Sequence, residues 1–388
     1  MTPMSGSPDI HAHLGPFSGL VAAADAMRPL FPSAPPGAAT RAKARSVLAF
    51  TIGDETAQDV RRGETWTRDG VRGEALSWSV GFGPRTEAWL FTPEGATGRL
   101  PALVALHDHG HFKALGKEKI ADGPGALPAS LVAFRDMYYG GRAFVGPLVR
   151  RGFAVLVPDV FLWGSRRFPL DVMPEAEHVL ADPIARMIDP DGPESDTRRY
   201  NGAAYLHEHL VSKYCTVLGT SFAGIVAYED RVALNTLRAL PGVDPARVGT
   251  IGLSGGGCRA ALLAGTSDHV AATVIAGMMT TYAGLLDHCI APHTWMLFPP
   301  GWGAHGDWPD LAAASAPSPL LVQYLLGDAQ FTREGMEAAD RKLAGHYAAA
   351  GHAGAYAGSF FDGPHRFDVA MQEEAFDWLA RHLGPSPA

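Results

Sequence analysis

The stretch RVGTIGLSGGGCRAALLAG, residues 247–265, decides the fold of this chain. An apolar run typical of a buried strand ends at Leu253, a helix-like run begins at Gly255, and the five residues centred on Ser254 follow the pattern G-x-S-x-G. Small residues two positions before and after the serine allow a strand-to-helix turn so sharp that the serine backbone is strained and its hydroxyl projects above the sheet. We therefore predict Ser254 as a nucleophile, with the N–H of Gly255 at the positive end of the helix as a donor to a developing oxyanion.

Short apolar runs continue on both sides of this stretch, and each is bounded by Gly, Pro or Asp. They are PALVALHD, FAVLVPDV, HVAATVIAG, PLLVQYLLGD and GAYAGSFFDG. Helix-like stretches separate them, and buried strands that alternate with helices are typical of a parallel sheet covered on both faces. ALSWSV and EAWLFTPE come before this series and predict an antiparallel hairpin that opens the sheet. The chain is therefore predicted to be an α/β protein with a mostly parallel central sheet flanked by helices.

The domain organisation follows from the regions outside these runs. Residues 1–70 hold two helical stretches joined by the proline-rich FPSAPPGAAT, and we predict an N-terminal helical extension there. Residues 71–388 are predicted to form one catalytic domain. Two long insertions in it, at about 162–215 and 280–315, fall on the edge of the sheet where the carboxyl ends of the strands meet. Because α/β proteins place their sites at this edge, we expect the insertions to shape a pocket.

Composition argues against several classes of partner. The formal net charge is -8 and the basic residues are scattered, which disfavours a nucleic-acid binder. No apolar run reaches the length of a membrane span, and MTPMSGSPDIHAHLGPF at the start lacks the basic and apolar regions of a signal peptide. The three cysteines are widely spaced without a CxxC, as expected of reduced thiols in the cytoplasm. We predict a cytoplasmic protein that acts on a small molecule, with assembly into a homo-oligomer left open.

The residues that would activate a serine follow it in the chain. PLLVQYLLGD ends at Asp328, and GAYAGSFFDG leads to His365 just before the last helix-like stretch. This is the order nucleophile, acid, histidine that such a sheet requires. Serine is a weak nucleophile at neutral pH, so His365 would accept its proton, and Asp328 would fix the histidine tautomer and stabilise the imidazolium. We predict Ser254, Asp328 and His365 as the catalytic residues.

A second serine offers an alternative nucleophile. Ser221 in GTSFA follows the apolar YCTVL and precedes a clear helix, and alanine two residues after the serine is tolerable in such a turn. Ser254 is preferred because two strands that end in an acid and a histidine must follow the nucleophile. After Ser254 the strand count meets this requirement.

The second oxyanion donor is expected in the loop that follows PALVAL. That loop has the sequence His107-Asp108-His109-Gly110-His111. A backbone N–H from this loop would complete the oxyanion hole. We predict His109 in this role, and Asp108, Gly110 and His111 remain as alternatives because the sequence does not define the loop geometry.

Histidines at alternate positions could instead bind a metal. Besides the HDHGH loop, His11 and His13 in DIHAH are similar to the opening HxH of metal-dependent amidohydrolases. His288, Cys289 and His293 form a looser cluster. In an amidohydrolase the HxH pair would close a buried strand, and MTPMSGSP has no strand pattern. We therefore predict no metal and no other cofactor, and we keep the amidohydrolase as the alternative from another class of enzyme.

Six segments between about residue 70 and the C-terminus carry a family resemblance. They are LHDHGHFKALGKEKI, RGFAVLVPD, YNGAAYLHEHLV, LGTSFAGIVAYEDRVALNTL, VDPARVGTIGLSGGG and GPHRFDVAMQEEAFDWL. With these segments the chain resembles the dienelactone-hydrolase-like and acetyl-xylan-esterase-like α/β hydrolases. The resemblance implies the α/β-hydrolase fold, gives Ser254, Asp328 and His365 the roles of a catalytic triad, and makes the GTS segment a turn before a helix.

The resemblance also implies a reaction, the hydrolysis of a carboxylic ester of a small molecule through an acyl-enzyme. Dienelactone hydrolases use cysteine as nucleophile, and this chain has Ser254 instead, which favours ester chemistry over the dienelactone reaction. The same triad could serve C–C bond hydrolysis, thioester cleavage or acyl transfer on a specialised metabolite, and these alternatives stay open.

The second insertion is rich in aromatic side chains. Trp295, Phe298 and Trp302 lie beside a rigid Pro-Pro pair and a Gly-Trp-Gly turn. In a loop above the carboxyl ends of the strands, they are predicted to wall the substrate pocket and exclude water. The alternative is that they anchor a long loop to the body of the protein, because large aromatic side chains are usually buried for packing.

Overall fold

The computed structural model describes residues 11–192 and 194–384. The strands in this part of the chain are β1 (Gln58–Arg68), β2 (Val71–Ser79), β3 (Thr86–Pro93), β4 (Leu100–Leu106), β5 (Ala154–Pro158), β6 (Val243–Leu253), β7 (Thr273–Ala276), β8 (Leu320–Leu325) and β9 (Tyr356–Phe361). They form one sheet in the order β1-β2-β3-β5-β4-β6-β7-β8-β9. The crossovers between β3, β4, β5 and β6 place the strand that leads to Ser254 in the middle of the sheet.

The strand directions confirm the predicted architecture. β1, β2 and β3 pair antiparallel, and β3 also pairs antiparallel with β5. From β5 through β4, β6, β7 and β8 to β9, every pair is parallel. The predicted hairpin is formed by β2 and β3, with Val71 opposite Pro93 and Trp78 opposite Thr86. The sheet is therefore mostly parallel and opens with antiparallel strands.

The sheet begins earlier than the sequence predicts. β1 lies within residues 1–70, the predicted helical extension, and the turn at Asp69-Gly70 leads directly into β2. A boundary before residue 71 would separate two paired strands, so that prediction is corrected: the sheet starts at Gln58. The sequence pattern does not predict β1, QDVRRGETWTR, as a strand, because all but one of its side chains are exposed and its apolar residues do not alternate.

Helices cover both faces of the sheet. They are α1 (Gly19–Met27), α2 (Ala38–Leu48), α3 (Ala129–Tyr139), α4 (Val145–Arg150), α5 (Glu175–Ile188), α6 (Asp196–Val217), α7 (Phe222–Arg238), α8 (Gly255–Thr266), α9 (Trp308–Ala313), α10 (Arg333–Ala349) and α11 (Val369–Leu383). Val104 of β4 packs in a core with α2, α7 and α8, and its neighbour Leu103 packs in a core with α4 and α11. Burial on both faces explains the continuous apolar runs in the sequence.

Among the described residues, no single helix has the length and apolar composition to cross a membrane; α6 and α7 meet those criteria as a pair that is bent by 89°.

The N-terminal segment lies against the body of the protein. α2 buries Ala44 and Leu48 in the core that also contains residues of α7 and α8. Between α1 and α2, the N–H of Phe31 donates to the carbonyl of Gly303 at 2.8 Å. The segment therefore covers part of the second insertion.

The two insertions differ in structure and contact each other. Residues 162–215 are largely helical and contain α5 and most of α6, whereas residues 280–315 pass through short 3-10 turns into α9. Thr294 Oγ1 donates to Glu208 Oε1 at 2.9 Å, which joins the second insertion to the first. Both insertions therefore reach the same region of the molecule.

Candidate active site

Ser254 occupies the sharp turn between β6 and α8. The strand ends at Leu253, and the helix begins at Gly255. The serine backbone has φ 55° and ψ -123°, a region that L residues rarely adopt, at a cost on the order of 1–3 kcal/mol. Its N–H donates to the carbonyl of Ala276 at 2.9 Å, and its carbonyl accepts from the N–H of Cys258 at 2.8 Å. These bonds to β7 and to the first turn of α8 hold the strained turn in place.

Glycines allow the neighbouring chain to approach this turn closely. A Cβ on Gly252 would lie 2.3 Å from the carbonyl carbon of Gly256, and a Cβ on Gly256 would lie 2.1 Å from the carbonyl oxygen of Leu106. A Cβ on Gly255 would lie 2.5 Å from the backbone nitrogen of His109. Larger residues would therefore push the turn away from the loop after β4. The glycines let Gly255 lie against the backbone of His109, so the two residues predicted to supply the oxyanion donors are in close contact.

Asp328 and His365 meet on the loops that follow β8 and β9. His365 Nδ1 lies 2.5 Å from Asp328 Oδ2, and the aspartate is buried. Asp328 Oδ1 accepts from the N–H of Gln330 at 3.0 Å. His365 Nε2 is buried and has no hydrogen-bond partner among the residues that the structure describes. The carboxylate therefore holds one ring nitrogen and leaves the other available to take a proton.

Ser254 and His365 line the same pocket, which has a volume of about 120 Å³. The loop after β4 contributes residues 108–111 to its wall, α3 contributes Tyr138, and the second insertion contributes residues 292–294. The structure thus brings the predicted nucleophile and base to one cavity, with the predicted acid bonded to the base. We call this cavity the reaction pocket.

The alternative nucleophile, Ser221, lies elsewhere. It is 3% exposed at the start of α7 and lies outside the wall of the reaction pocket. Its Oγ accepts from the N–H of Gly224 at 2.9 Å and donates to the carbonyl of Leu48 at 3.1 Å. The hydroxyl is therefore used as a helix cap that also ties α7 to α2.

A buried ammonium group holds the loop after β4. Lys119 Nζ donates to the carbonyl oxygens of Asp108 at 2.8 Å and His109 at 3.0 Å. The Asp108 carboxylate accepts from the hydroxyl of Tyr139 at 2.5 Å. Burial lowers the pKa of Lys119 to about 8, because the charged form loses its hydration, and the Asp108 charge limits the shift. These bonds fix the two carbonyls and, with them, the backbone of the predicted oxyanion loop.

Glu208 of α6, which sequence reasoning missed, joins this loop to the second insertion. Its Oε2 accepts from His109 Nε2 at 2.7 Å and from the ammonium of Lys113. Its Oε1 accepts from Thr294 Oγ1 at 2.9 Å. The N–H of His111 donates to His109 Nδ1 at 3.1 Å, so the proton of the neutral His109 ring lies on Nε2 and points to Glu208. We call Glu208, His109, Lys113, Thr294 and His111 the Glu208 cluster.

The charges in the Glu208 cluster offset one another. Burial tends to raise the pKa of Glu208, but Lys113 and His109 outweigh it and hold that pKa well below its usual range. Burial lowers the pKa of His109, so the ring is neutral at pH 7. A local signal existed in the sequence: Glu208 stands between Ala204 and Val211 on one buried face of α6, at the spacing i, i+4 and i+7. A carboxylate on such a face needs a buried partner.

Two further histidines of the reaction pocket are uncharged at neutral pH. Burial, together with the neighbouring His109, lowers the pKa of His111 to about 3. Burial also lowers the pKa of His293 to about 4, although the hydrogen bond from its Nε2 to the carbonyl of Gln330, at 3.0 Å, acts in the opposite direction. The wall of the pocket therefore presents neutral imidazoles to a substrate.

The aromatic residues predicted to wall the pocket do not line it. Trp302 is 1% exposed, and its Nε1 donates to the carbonyl of Asp307 at 2.9 Å within the insertion. Phe298 packs against the main core. Trp295 is 42% exposed, and its Nε1 donates to His209 Nδ1 at 2.9 Å. The prediction is corrected: the rings anchor the insertion, and the wall comes from the smaller residues just before them.

The structure describes most of the candidate metal ligands of DIHAH and of the second insertion. Asp9 of the DIHAH motif lies outside the described residues, and His13 is exposed. His288 Nδ1 lies 2.6 Å from Asp287 Oδ2 at the surface, while Cys289 is buried. In the part of the chain that the structure describes, no group of three or more His, Cys, Asp or Glu side chains is placed to hold a metal ion.

Solved structures share the fold of this chain. No model of a known protein family matches the chain. The chain is similar to the provisionally named hydrolase YtaP of Bacillus subtilis (strain 168), with 22% identity over 311 residues, which are 80% of this chain and 88% of YtaP. A provisionally named acetyl xylan esterase from Bacteroides fragilis NCTC 9343 matches with a TM-score of 0.61 and 16% identity, over 84% of this chain and 74% of its own. A glucuronoyl esterase from Solibacter usitatus matches with a TM-score of 0.61 and 12% identity, over 89% of this chain and 92% of its own. The chain therefore has the α/β-hydrolase fold.

Proposed function

We propose that this protein is a serine hydrolase that cleaves a carboxylic ester of a small molecule through an acyl-enzyme. One observation carries the proposal: His365 is bonded through Nδ1 to Asp328, its Nε2 has no partner in the described chain, and His365 lines the same pocket as Ser254. A hydrolase and two esterases among the similar proteins support the same reaction class.

The first half of the reaction forms the acyl-enzyme. Ser254 Oγ attacks the carbonyl carbon of the ester while His365 Nε2 takes the hydroxyl proton. Asp328 keeps the other proton on Nδ1 and stabilises the imidazolium. The bond from the carbonyl carbon to the alcohol oxygen then breaks, and His365 gives its proton to that oxygen. The alcohol leaves, and the acyl group stays on Ser254.

The second half releases the acid. His365 takes a proton from a water molecule, whose oxygen attacks the acyl carbon. The bond between that carbon and Ser254 Oγ breaks, and the proton returns to the serine. Apart from the water molecule, every group that these reaction steps need comes from the chain itself, so we propose that the enzyme works without a cofactor.

The oxyanion of each tetrahedral intermediate would be stabilised by the N–H groups of Gly255 and His109. Gly255 is the first residue of α8, where the helix dipole is positive. His109 belongs to the loop that Lys119 and Glu208 hold. Losing one such donor costs an enzyme about 10²–10³ in kcat. The buried bonds of this loop would therefore contribute to turnover as well as to folding.

We also propose that the enzyme acts in the cytoplasm. Its three cysteines are buried and unpaired, which suits a reducing compartment. Cys258 is fully buried, and burial holds its pKa well above the usual range, so the thiol is unreactive.

Ser254→Ala tests the nucleophile, and Ser221→Ala is its matched control. With phenyl acetate as substrate, Ser254→Ala should lower kcat by several orders of magnitude. Ser221→Ala should lose a helix cap, about 1 kcal/mol of stability, and keep the activity of the folded enzyme. A fluorophosphonate should label Ser254, as mapped by mass spectrometry. An adduct on Ser221 would reverse the assignment, and a wild-type protein without labelling or ester turnover would exclude the proposed function.

The same assay tests the metal-dependent alternative. Dialysis against a strong chelator should leave turnover of phenyl acetate unchanged, because the proposed reaction uses side-chain and backbone groups of the chain. A loss that zinc or manganese restores would show that a metal-dependent mechanism is the main one.

A further inference from the structure

A second cavity, of about 270 Å³, lies beside the reaction pocket. Its walls are the loop after β4, α3, the end of α5 with the loop that follows it, and the start of α6. Gly110, His111 and Tyr138 line both cavities. We propose that this side cavity binds the alcohol part of the ester and that this part is an uncharged aromatic or bulky apolar group. The inference rests on the proposed function and assigns its substrate class.

The volume of the reaction pocket shows that this pocket alone cannot hold both parts of such an ester. A protein cavity of about 150 Å³ holds one benzene molecule. The reaction pocket, at about 120 Å³, therefore has room for the reacting carbonyl and a short acyl group. A ring-bearing group must occupy neighbouring space, and the side cavity has more than twice that volume.

The proton transfer decides which part of the ester enters the side cavity. The leaving alcohol takes its proton from His365 Nε2, so the alcohol oxygen must lie beside that ring. The ring of Tyr138 packs edge-on to His365, with 6.4 Å between the ring centroids. Tyr138 is also part of the wall of the side cavity. The alcohol part therefore extends from His365 past Tyr138, and the short acyl part remains in the reaction pocket.

Aromatic side chains give the side cavity its chemistry. Phe112 and Phe134 are stacked, with 5.4 Å between their centroids and 26° between their planes. Phe134 and Tyr138 are tilted by 51° at a centroid distance of 4.8 Å. All three line the cavity. A further ring placed there can pack edge-on or offset against this cluster, the arrangements that aromatic pairs prefer.

The charges around the side cavity disfavour an anionic group. Arg198 donates to the carbonyl of Asp189 at 2.6 Å and to Glu194 at 2.9 Å, so its guanidinium is already occupied. Asn201 Oδ1 accepts from two backbone N–H groups of the loop after β4, at 2.9 and 3.0 Å. Asp189 and Asp191 are exposed lining residues that carry negative charge. A carboxylate in the cavity would meet these charges, whereas an uncharged ring would not.

Ala133→Trp, which fills the side cavity from α3, is the test, and Val132→Trp is its matched control. Ala133 and Val132 are both exposed neighbours on α3, and of the two only Ala133 lines the cavity. The measurement is the ratio of kcat/KM for benzyl acetate to kcat/KM for methyl acetate, since comparing ratios between variants cancels the intrinsic reactivity of each ester. Ala133→Trp should lower this ratio roughly tenfold or more, and Val132→Trp should leave it unchanged. An unchanged ratio in Ala133→Trp overturns the proposal.

Two further comparisons support or reject the same proposal. Phe134→Leu widens the cavity and should raise the rate for 2-naphthylmethyl acetate relative to benzyl acetate. Wild-type enzyme should use 4-carboxybenzyl acetate more slowly than benzyl acetate, and the reverse order would contradict the charge argument. Labelling of Ser254 by a fluorophosphonate separates the two failures. If Ser254 reacts and the ratios do not change, the role assigned to the side cavity is refuted and the proposed function stands. If Ser254 does not react, the proposed function itself is refuted.

Discussion

Substitution of Glu208 measures how much the buried cluster supports turnover. Glu208→Ala would leave the Lys113 ammonium buried without its counter-charge, and breaking a buried ion pair in this way costs about 3–5 kcal/mol. His109 Nε2 and Thr294 Oγ1 would also lose their acceptor, at about 1–3 kcal/mol for each unsatisfied donor. The sum approaches the whole stability of a typical domain, about 5–15 kcal/mol. Glu208→Gln keeps the shape and one carbonyl acceptor, so it is the variant to measure, with an expected loss near 3 kcal/mol.

The assay combines urea unfolding with turnover of phenyl acetate by the folded enzyme. Glu208→Gln should lower kcat by about 10²-fold with a smaller change in KM, since a misplacement near 1 Å in a catalytic group costs about that much. Glu177→Gln is the matched control, because Glu177 bonds His207 Nδ1 at 2.8 Å in an equally buried pair outside the reaction pocket. The control should lose stability and keep kcat.

Two results would refute this reasoning. If Glu208→Gln keeps kcat within about twofold, the carboxylate does not hold the oxyanion loop in its working position. If Glu177→Gln lowers kcat equally, the effect comes from general loosening of α6. The double variant Lys113→Met with Glu208→Gln removes both charges, so it should regain stability while kcat stays low.

The remaining predictions concern the acid and the dependence on pH. Asp328→Asn should keep the fold and lower kcat by about 10⁴, because the histidine is left in the wrong tautomer; near-full activity would place the orienting acid elsewhere. Burial lowers the pKa of His293 to about 4, below its ordinary value of 6.5, so the unfolded chain binds the proton first as the pH falls. The free energy of unfolding should therefore decrease between pH 6.5 and pH 4, and His293→Gln, which keeps a donor for the carbonyl of Gln330, should flatten that decrease in urea titrations. Equal pH dependence in the two proteins would contradict this account.

The residues that sequence reasoning located well are those whose positions depend on local pattern and chain order. The strand-turn-helix around Ser254 is readable because the strained turn demands small neighbours within two residues. Asp328 and His365 follow from their places after apolar strands, and the structure brings them within 2.5 Å of each other. Their catalytic roles remain predictions until the variants are measured.

The features that sequence reasoning missed depend on contacts between distant segments. β1 is polar because it forms an edge of the sheet, so no apolar alternation marks it. Trp302 is indistinguishable in sequence from a pocket residue, but its ring is buried in the main core and its Nε1 donates to the carbonyl of Asp307. Glu208 resembles a surface residue of a long helix until the partner Lys113, 95 positions earlier, is known.

The bond between Thr294 and Glu208 has a consequence for engineering. Thr294 lines the reaction pocket and donates to the Glu208 carboxylate, which also anchors His109. The same carboxylate therefore affects both substrate selectivity and kcat. In libraries that randomise residues 292–294, we expect the active variants to be mainly those that keep a hydroxyl at position 294, as Thr or Ser. Chimeras that import this loop from another hydrolase should import α6 with it, because the two segments form one exchangeable module.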